Sequence, residues 1–440
     1  MSAHTTVVSD PVAHPGATPM RCVTGFGTYD PGSGSVTPSY VKITSVGTDG
    51  SSANGGTQGR TLTAVYAFDV DNSNISGGII RSYPASSDGS ALWCLDVGSD
   101  TPTDGVTQVQ LQPCSTSFPP SPEQTFAYRT DLTLQLTTSI GTVVNGVTYR
   151  YGLCIDDTSI SSGVPVNGST LVLKQCGALG SPVWSQQWSF DDHSSLQAPT
   201  SGSASTGSLS GRCMSVASHS AGQVVKLGTC DNNLTSTVDA WIPSPAVGAG
   251  AATATTSNQW INFQQFGRCI NLPNSDPTAL YIIAPTCKQN PHQASVSPNQ
   301  KLYYDSTRKW FYLTLSGVNW CLYSTNVAYT TGGTNGRIQV TRCSSPSAGI
   351  TASQLQWTHT TPSANPTLSY SQLYRFIDST GLCMSLATMV TVPGDPYINV
   401  GNPYGVWPKL VTATCDLSTL QQWNASNNVG NSSIQNQREN

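Results

Sequence analysis

The sequence predicts an all-β protein assembled from repeated hairpin units. Three observations predict it. The cysteines fall into pairs at one long period, the stretches between them have strand texture, and a Gln-aromatic or Gln-apolar signal follows each pair.

Twelve of the 13 cysteines form six successive pairs: Cys94/Cys114, Cys154/Cys176, Cys213/Cys230, Cys269/Cys287, Cys321/Cys343 and Cys383/Cys415. The first members follow one another at 60, 59, 56, 52 and 62 residues. Each opens a short β-like run: WCLDV, LCIDD, RCMSV, RCINL, WCLYS and LCMSL. Pairing within a unit closes only a local loop, worth about 3 kcal/mol per bridge on chain entropy, and it is more economical than long-range pairing. Zinc ligation would need Cys-x2-4-Cys or paired histidines. No two cysteines lie that close, so no metal is expected. A disulfide framework in turn implies an oxidising, extracellular setting: secreted, on a cell surface or on a virion surface.

Closing each unit are EQTF (123–126), SQQW (185–188), NQW (258–260), NQKL (299–302), QLQW (354–357) and LQQW (420–423). Between the cysteines, LTLQLTT (132–138), KWFYLTL (309–315) and GRIQVTRC (336–343) alternate or are β-branched, with Gly, Pro, Asn and Asp turns between them. Long amphipathic helical patterns are absent.

Composition excludes several functions. Only 10% of residues are charged and the net charge is −4, against roughly 25% charged in a typical domain. No basic face serves a phosphate backbone, so neither nucleic acid nor an anionic membrane is an expected partner. No apolar run reaches the roughly 20 residues that cross a bilayer, so no membrane insertion is expected. The N-terminus has no apolar h-region of a signal peptide. Of catalytic motifs there is no Gly-x-Ser-x-Gly, His-Glu-x-x-His or phosphate-binding Gly loop. Asp191-Asp192-His193 reads as a polar loop. The chain is expected to be non-enzymatic, with no catalytic residues and no cofactor.

The order Cys-Leu-Asp … Gln-x-x-x-Cys … Gln-x-Trp resembles the ricin B-type lectin, or QxW, repeat over about 60–424. In that family three repeats build one β-trefoil, a six-stranded barrel capped by three hairpins. The resemblance therefore implies two tandem trefoils, over 61–265 and 266–426, preceded by an extended Gly/Ser/Thr-rich arm over 1–60 and followed by a solvated tail over 427–440. It implies that the Trp, or Phe126 and Leu302 in its place, fills the barrel core, and that the Gln satisfies buried backbone near the pseudo-threefold axis. Asn258 and Leu355 stand two before their Trp, where Gln belongs, so those two units are degenerate or shifted by one residue.

The resemblance also implies shallow sugar pockets, one per unit. An Asp after Cys-Leu accepts from vicinal hydroxyls while an aromatic ring stacks on the pyranose. Carried over, the first unit offers Asp96, Gln110 and Gln124, with Gln112 where a ring belongs. The second offers Asp156 and Gln186, with Trp184 near. Asn271 could still hydrogen-bond a sugar, whereas Ser215, Tyr323 and Ser385 replace the Asp elsewhere. An Asp at such a place also serves as an ordinary turn residue. The expectation is lectin-like: weak, multivalent binding to glycans or a glycosylated surface. The alternative is a structural or adhesive assembly protein, such as a virion decoration, fibre or surface-layer component, reusing trefoils as rigid blocks. Cys22 has no partner among the units and is either free or an intermolecular bridge. The arm and this thiol suggest self-assembly or a lattice partner.

Overall fold

The computed structural model describes residues 77–424, apart from 84–91, 118–119, 159–162, 179–180, 192, 202–206, 232–235, 237, 253–256, 263–266, 331–334, 361–372, 388–407 and 417. It also describes the backbone of strands Cys22–Thr24, Gly27–Tyr29, Tyr40–Thr48, Gly59–Ala67 and Ile434–Glu439. Among the described residues all regular structure is antiparallel strand or single-turn 3-10 helix.

Six bridges join Cys94–Cys114, Cys154–Cys176, Cys213–Cys230, Cys269–Cys287, Cys321–Cys343 and Cys383–Cys415. Around them the first three units form three four-stranded sheets. In chain order of their hairpins they are Trp241–Pro243/Ile80–Ser82/Trp93–Asp96/Gln110–Pro113, Leu171–Gln175/Leu153–Asp157/Leu134–Leu136/Phe126–Tyr128, and Ser189–Phe190/Leu196–Pro199/Leu209–Ser215/Lys226–Thr229. Trp241–Pro243 pairs with Ile80–Ser82, so the last strand of the third unit closes on the first strand of the first.

Threefold closure is visible at the hairpin ends. Val109 N–H donates to Leu171 O (3.0 Å), Leu171 N–H to Val225 O (3.1 Å) and Val225 N–H to Val109 O (2.9 Å). The second set repeats the ring: Ile282 to Ile338 (3.4 Å), Ile338 to Leu410 (3.3 Å), Leu410 to Ile282 (2.9 Å). All six side chains are buried, and each ring caps its own apolar cluster. The chain is thus a pair of β-trefoils.

Each closing Trp has a specific task. The indole N–H of Trp188, Trp241, Trp357 and Trp423 donates to Ile155, Met214, Leu322 and Met384 O respectively, always the residue after the unit's first cysteine. An indole can fill the core and satisfy a buried carbonyl together, which Phe126 and Leu302 cannot.

This corrects the expected closing signal of the third unit. That unit closes on Trp241, in Asp239-Ala240-Trp241, not on Trp260 of Asn-Gln-Trp. Trp260 lies in the second core, at the place held by Leu134, Leu196 and Phe311. The register proves it. Trp188, Trp241, Leu302 and Trp357 donate their backbone N–H to Leu132, Ser194, Asn258 and Lys309 O. Those four acceptors share a left-handed φ of 55–67°, just before the first strand of a unit. Asn258 is therefore the left-handed lead-in to the fourth unit. The expected boundary at 265/266 falls after Trp260, which already packs in the second core, so the second trefoil begins earlier than expected.

Among its described residues the fourth unit has no continuous strand. It is held by bridges Ile261↔Cys269, Arg268↔Thr286 and Asn271↔Ile283 and by 3-10 turns. Pro273 and Pro285 have no N–H to donate to a ladder, and Asn274 and Ser275 sit at positive φ. Its second-cysteine loop docks on the first trefoil instead. Gln289 N–H donates to Phe190 O (2.8 Å), Arg268 Nη2 to Pro243 O (2.8 Å) and Asn290 Nδ2 to Gly207 O (3.2 Å). Ala249, Ala252, Ile261, Cys269 and Cys287 pack beside these bonds.

Tyr40–Thr48 and Gly59–Ala67 form a nine-residue antiparallel hairpin, to which Ile434–Glu439 adds a third strand. Within the expected tail, 434–439 is a strand, and Gly59–Ala67 runs across the expected 60/61 boundary. Alternation in TLTAVYA explains the strand. The side chain of Cys22, in Cys22–Thr24, lies outside the described residues.

Candidate functional site

The Gln of Gln-x-Trp satisfies backbone groups, as expected, but at the second cysteine of its unit rather than at the pseudo-threefold axis. Gln124, Gln186, Gln300 and Gln421 each clamp the strand end around the second cysteine of their unit. The side-chain oxygen accepts from the N–H just after that cysteine: Ser115 (2.7 Å), Gly177 (3.3 Å), Lys288 (2.8 Å) and Asp416 (3.1 Å). The amide donates to the carbonyl just before it: Pro113, Gln175, Thr286 and Thr414. Asp239 does half of this in the third unit, accepting from Asp231 N–H at 2.7 Å. In the fifth unit Leu355 occupies the place, and neighbouring Gln354 caps Thr351 instead.

Asp96, Gln110 and Gln124 are brought together. Asp96 and Gln110 are cross-strand partners, and Gln124 Nε2 donates to Asp96 Oδ2 at 2.9 Å. Gly98 N–H donates to Oδ1. A Cβ at Gly98, whose φ is +63°, would meet Gln110 Nε2 at 2.2 Å, so the tight turn needs glycine. Burial raises the Asp96 carboxyl pKa, and the Gln124 and Gly98 bonds oppose this. Each carboxylate oxygen already accepts a hydrogen bond from the protein.

Asp156 is different. Ser185 Oγ donates to its Oδ2 at 3.1 Å, but Oδ1 is buried without a hydrogen-bond partner. Lys174 Nζ stands 4.0 Å from Oδ1 on a side chain 44% exposed. Burial raises the carboxyl pKa and Lys174 lowers it. The 3-10 turn Trp184–Gln186 carries the half-buried Trp184 beside Ser185 in sequence, and Gln186, besides its clamp, also lowers the Asp156 carboxyl pKa through its side chain.

In the fourth unit Asn271 exchanges both backbone bonds with Ile283, and its Oδ1 is buried without a partner. Asn299 is engaged with Leu272 O and Lys288 Nζ. Asp96, Asp156 and Asn271 thus belong to three separate units rather than one pocket. The fifth and sixth units satisfy themselves: Tyr323 OH donates to Gln339 Oε1 (2.7 Å) and Ser385 Oγ to Leu386 O (3.2 Å). Lys174, Ser185 and Asp239 carry no signal of their own in the sequence, because each acts on a partner in its own unit that only the folded hairpin brings near. Asp191 accepts from His193 and Ser195 N–H, as a loop residue does. No group of three His, Cys, Asp or Glu that could hold a metal occurs among the described residues. No helix among them is long and apolar enough to cross a membrane.

No protein-family model matches the chain, and neither does any curated protein. Two solved structures are similar to it at low TM-score. A crystal structure of an HCR/D F1240A mutant gives a TM-score of 0.24 and 8% identity, covering 92% of this chain and 96% of that one. A structure described under the cell entry of botulinum neurotoxin type C, dependent on interaction with two ganglioside molecules, gives 0.22 and 10%, with the same coverage. At such scores the likeness carries no weight here, and the trefoil assignment stands on the hydrogen-bond rings and the two cores.

Proposed function

We propose that the chain is a non-enzymatic, extracellular carbohydrate-binding protein of the ricin B type, in which the second unit is the principal sugar site. The observation that carries this reading is Asp156 Oδ1, a buried acceptor with no hydrogen-bond partner, faced at 4.0 Å by a half-exposed lysine. Rotation of Lys174 toward water uncovers it. A sugar hydroxyl then donates to Oδ1, with Lys174 free to donate to a ring or neighbouring oxygen and Trp184 to cover the apolar face. Asp96 is a weaker site, because a sugar must share oxygens that Gly98 and Gln124 already hold. Single pockets of this kind bind weakly, so useful affinity comes from several copies on one surface.

A glycan array probed with multimerised protein tests the reading. Binding lost in Asp156→Ala and retained in Asp96→Ala is the expected result. No binding to any glycan by the multimer would remove the lectin reading and leave the assembly-block alternative. The self-satisfied Tyr323–Gln339 pair favours that second reading for the second trefoil.

A further inference from the structure

The residues just before each threefold ring differ between the trefoils. In the first, Gln108, Thr170 and Val224 precede Val109, Leu171 and Val225. In the second, Tyr281, Arg337 and Lys409 precede Ile282, Ile338 and Leu410. Bridges Ile283↔Lys409 and Arg337↔Val411 confirm that these three positions meet around the axis.

Both cations converge on one ring. Arg337 Cζ lies 4.7 Å and Lys409 Nζ 4.6 Å from the Tyr281 centroid. Tyr281 is 5% exposed, whereas Arg337 and Lys409 are half-buried. Each cation gains about 0.5–1 kcal/mol from a ring at a surface site, but two like charges on one ring repel each other. Lys409 registers this: burial and then Arg337 both lower its pKa. Position 337 is also rigidly set. Gly336, at φ +72°, lies so close to Tyr329 that a Cβ would meet its backbone nitrogen at 2.2 Å. Thr412 N–H donates to Gly336 O (2.8 Å) and Tyr329 N–H to Thr412 O (2.8 Å). The first trefoil closes the same ring with neutral side chains, so the fold does not require the cations.

We propose that Arg337 and Lys409, backed by Tyr281, form an oxyanion site at the pseudo-threefold axis of the second trefoil, which takes the sulfate or carboxylate group of an acidic saccharide. A shared oxyanion removes the repulsion between the cations, and guanidinium and ammonium donate to separate oxygens of the same group. The saccharide as carrier rests on the carbohydrate-binding reading; the oxyanion chemistry does not, and the site is distinct from Asp156.

Calorimetric titration of the full chain with sodium sulfate, a sulfated glycosaminoglycan disaccharide and its desulfated counterpart tests this. The sulfated disaccharide should bind more tightly than sulfate, and the desulfated one should not bind this site. Lys409→Gln and Arg337→Gln should each weaken sulfated-disaccharide binding at least about tenfold, while Asp156→Ala leaves it unchanged. Tm and non-reducing gels report whether each variant is folded. Wild-type protein that binds neither sulfate nor sulfated disaccharide overturns the site, as does undiminished binding by the folded double variant. Equal affinity for sulfate and sulfated disaccharide overturns the saccharide carrier. Loss of binding in Asp156→Ala with retention in the cation variants assigns the anion to the other site and overturns this one.

Discussion

The two trefoils reach one architecture with different materials. The first has three complete sheets and aliphatic Ile80, Leu134 and Leu196 at its first-strand positions. The second puts Trp260, Phe311 and Phe376 there, packed edge-to-face with centroids 4.6–5.2 Å apart. It does so with one unit that has no continuous ladder. What both keep is the axial ring of backbone bonds, the disulfide in each unit and, in four units, the indole bond to the carbonyl after the first cysteine. The comparison teaches that the ladder is dispensable locally when closure, core and staple remain.

The largest effect should come from the tryptophans. Trp241→Ala and Trp260→Ala should each cost about 3–5 kcal/mol, the first in the first core and the second in the second. Hydrogen exchange of Val225 and Ile338 amides reads the two separately. If Trp260→Ala chiefly deprotected Val225, the placement of Trp260 would be wrong.

Next is the glutamine clamp. Gln300→Leu copies the Leu355 arrangement into the fourth unit and strands Lys288 N–H and Thr286 O, so it should cost about 2 kcal/mol by denaturant unfolding. Gln354→Leu, which removes only a surface cap, should cost about 1 kcal/mol or less.

Lys288 sharpens the comparison through pH. Burial lowers its pKa to about 7, opposed by Asp191, and its amine donates to Asn299. Between about pH 7 and the usual lysine range the unfolded chain binds more protons than the folded one, so stability rises with pH. Below about pH 7 both states are protonated and this contribution is flat. Denaturation series should show a gain of up to about 2 kcal/mol from pH 7 to 9, and Lys288→Met should abolish that slope. A wild-type slope of zero would contradict the burial of this amine.

The smallest effect is on Asp156. Its folded pKa is raised, so the folded state holds a proton to higher pH than the unfolded chain and loses stability as pH rises through that window. Asp156→Asn should therefore raise Tm slightly at neutral pH while weakening sugar binding at least about tenfold. A lowered Tm would show that the carboxylate is structurally required.

Much of the fold was legible because its signals are local and repeated. Cysteines 17–32 residues apart recur six times, and hairpins need only their own sequence. The Asn-Gln-Trp triplet at 258–260 misled because Asp239, which partly performs the Gln task, does not look like Gln, while Asn258 next to Gln259 does. Only the register distinguishes a closing Trp from an opening one. Asp96 and Gln124 were legible as a pair, but not that they satisfy one another.

The sequence by itself determined the all-β class, the six units and the candidate carboxylates, because period, spacing and residue chemistry are written along the chain. Tertiary structure alone decided where the trefoils divide, which Trp belongs to which core and which buried carboxylate oxygen is left without a hydrogen bond. It also brought Tyr281, Arg337 and Lys409 together across three units. Contacts of that kind depend on closure in three dimensions, where residues more than a hundred positions apart meet around an axis that no local pattern records.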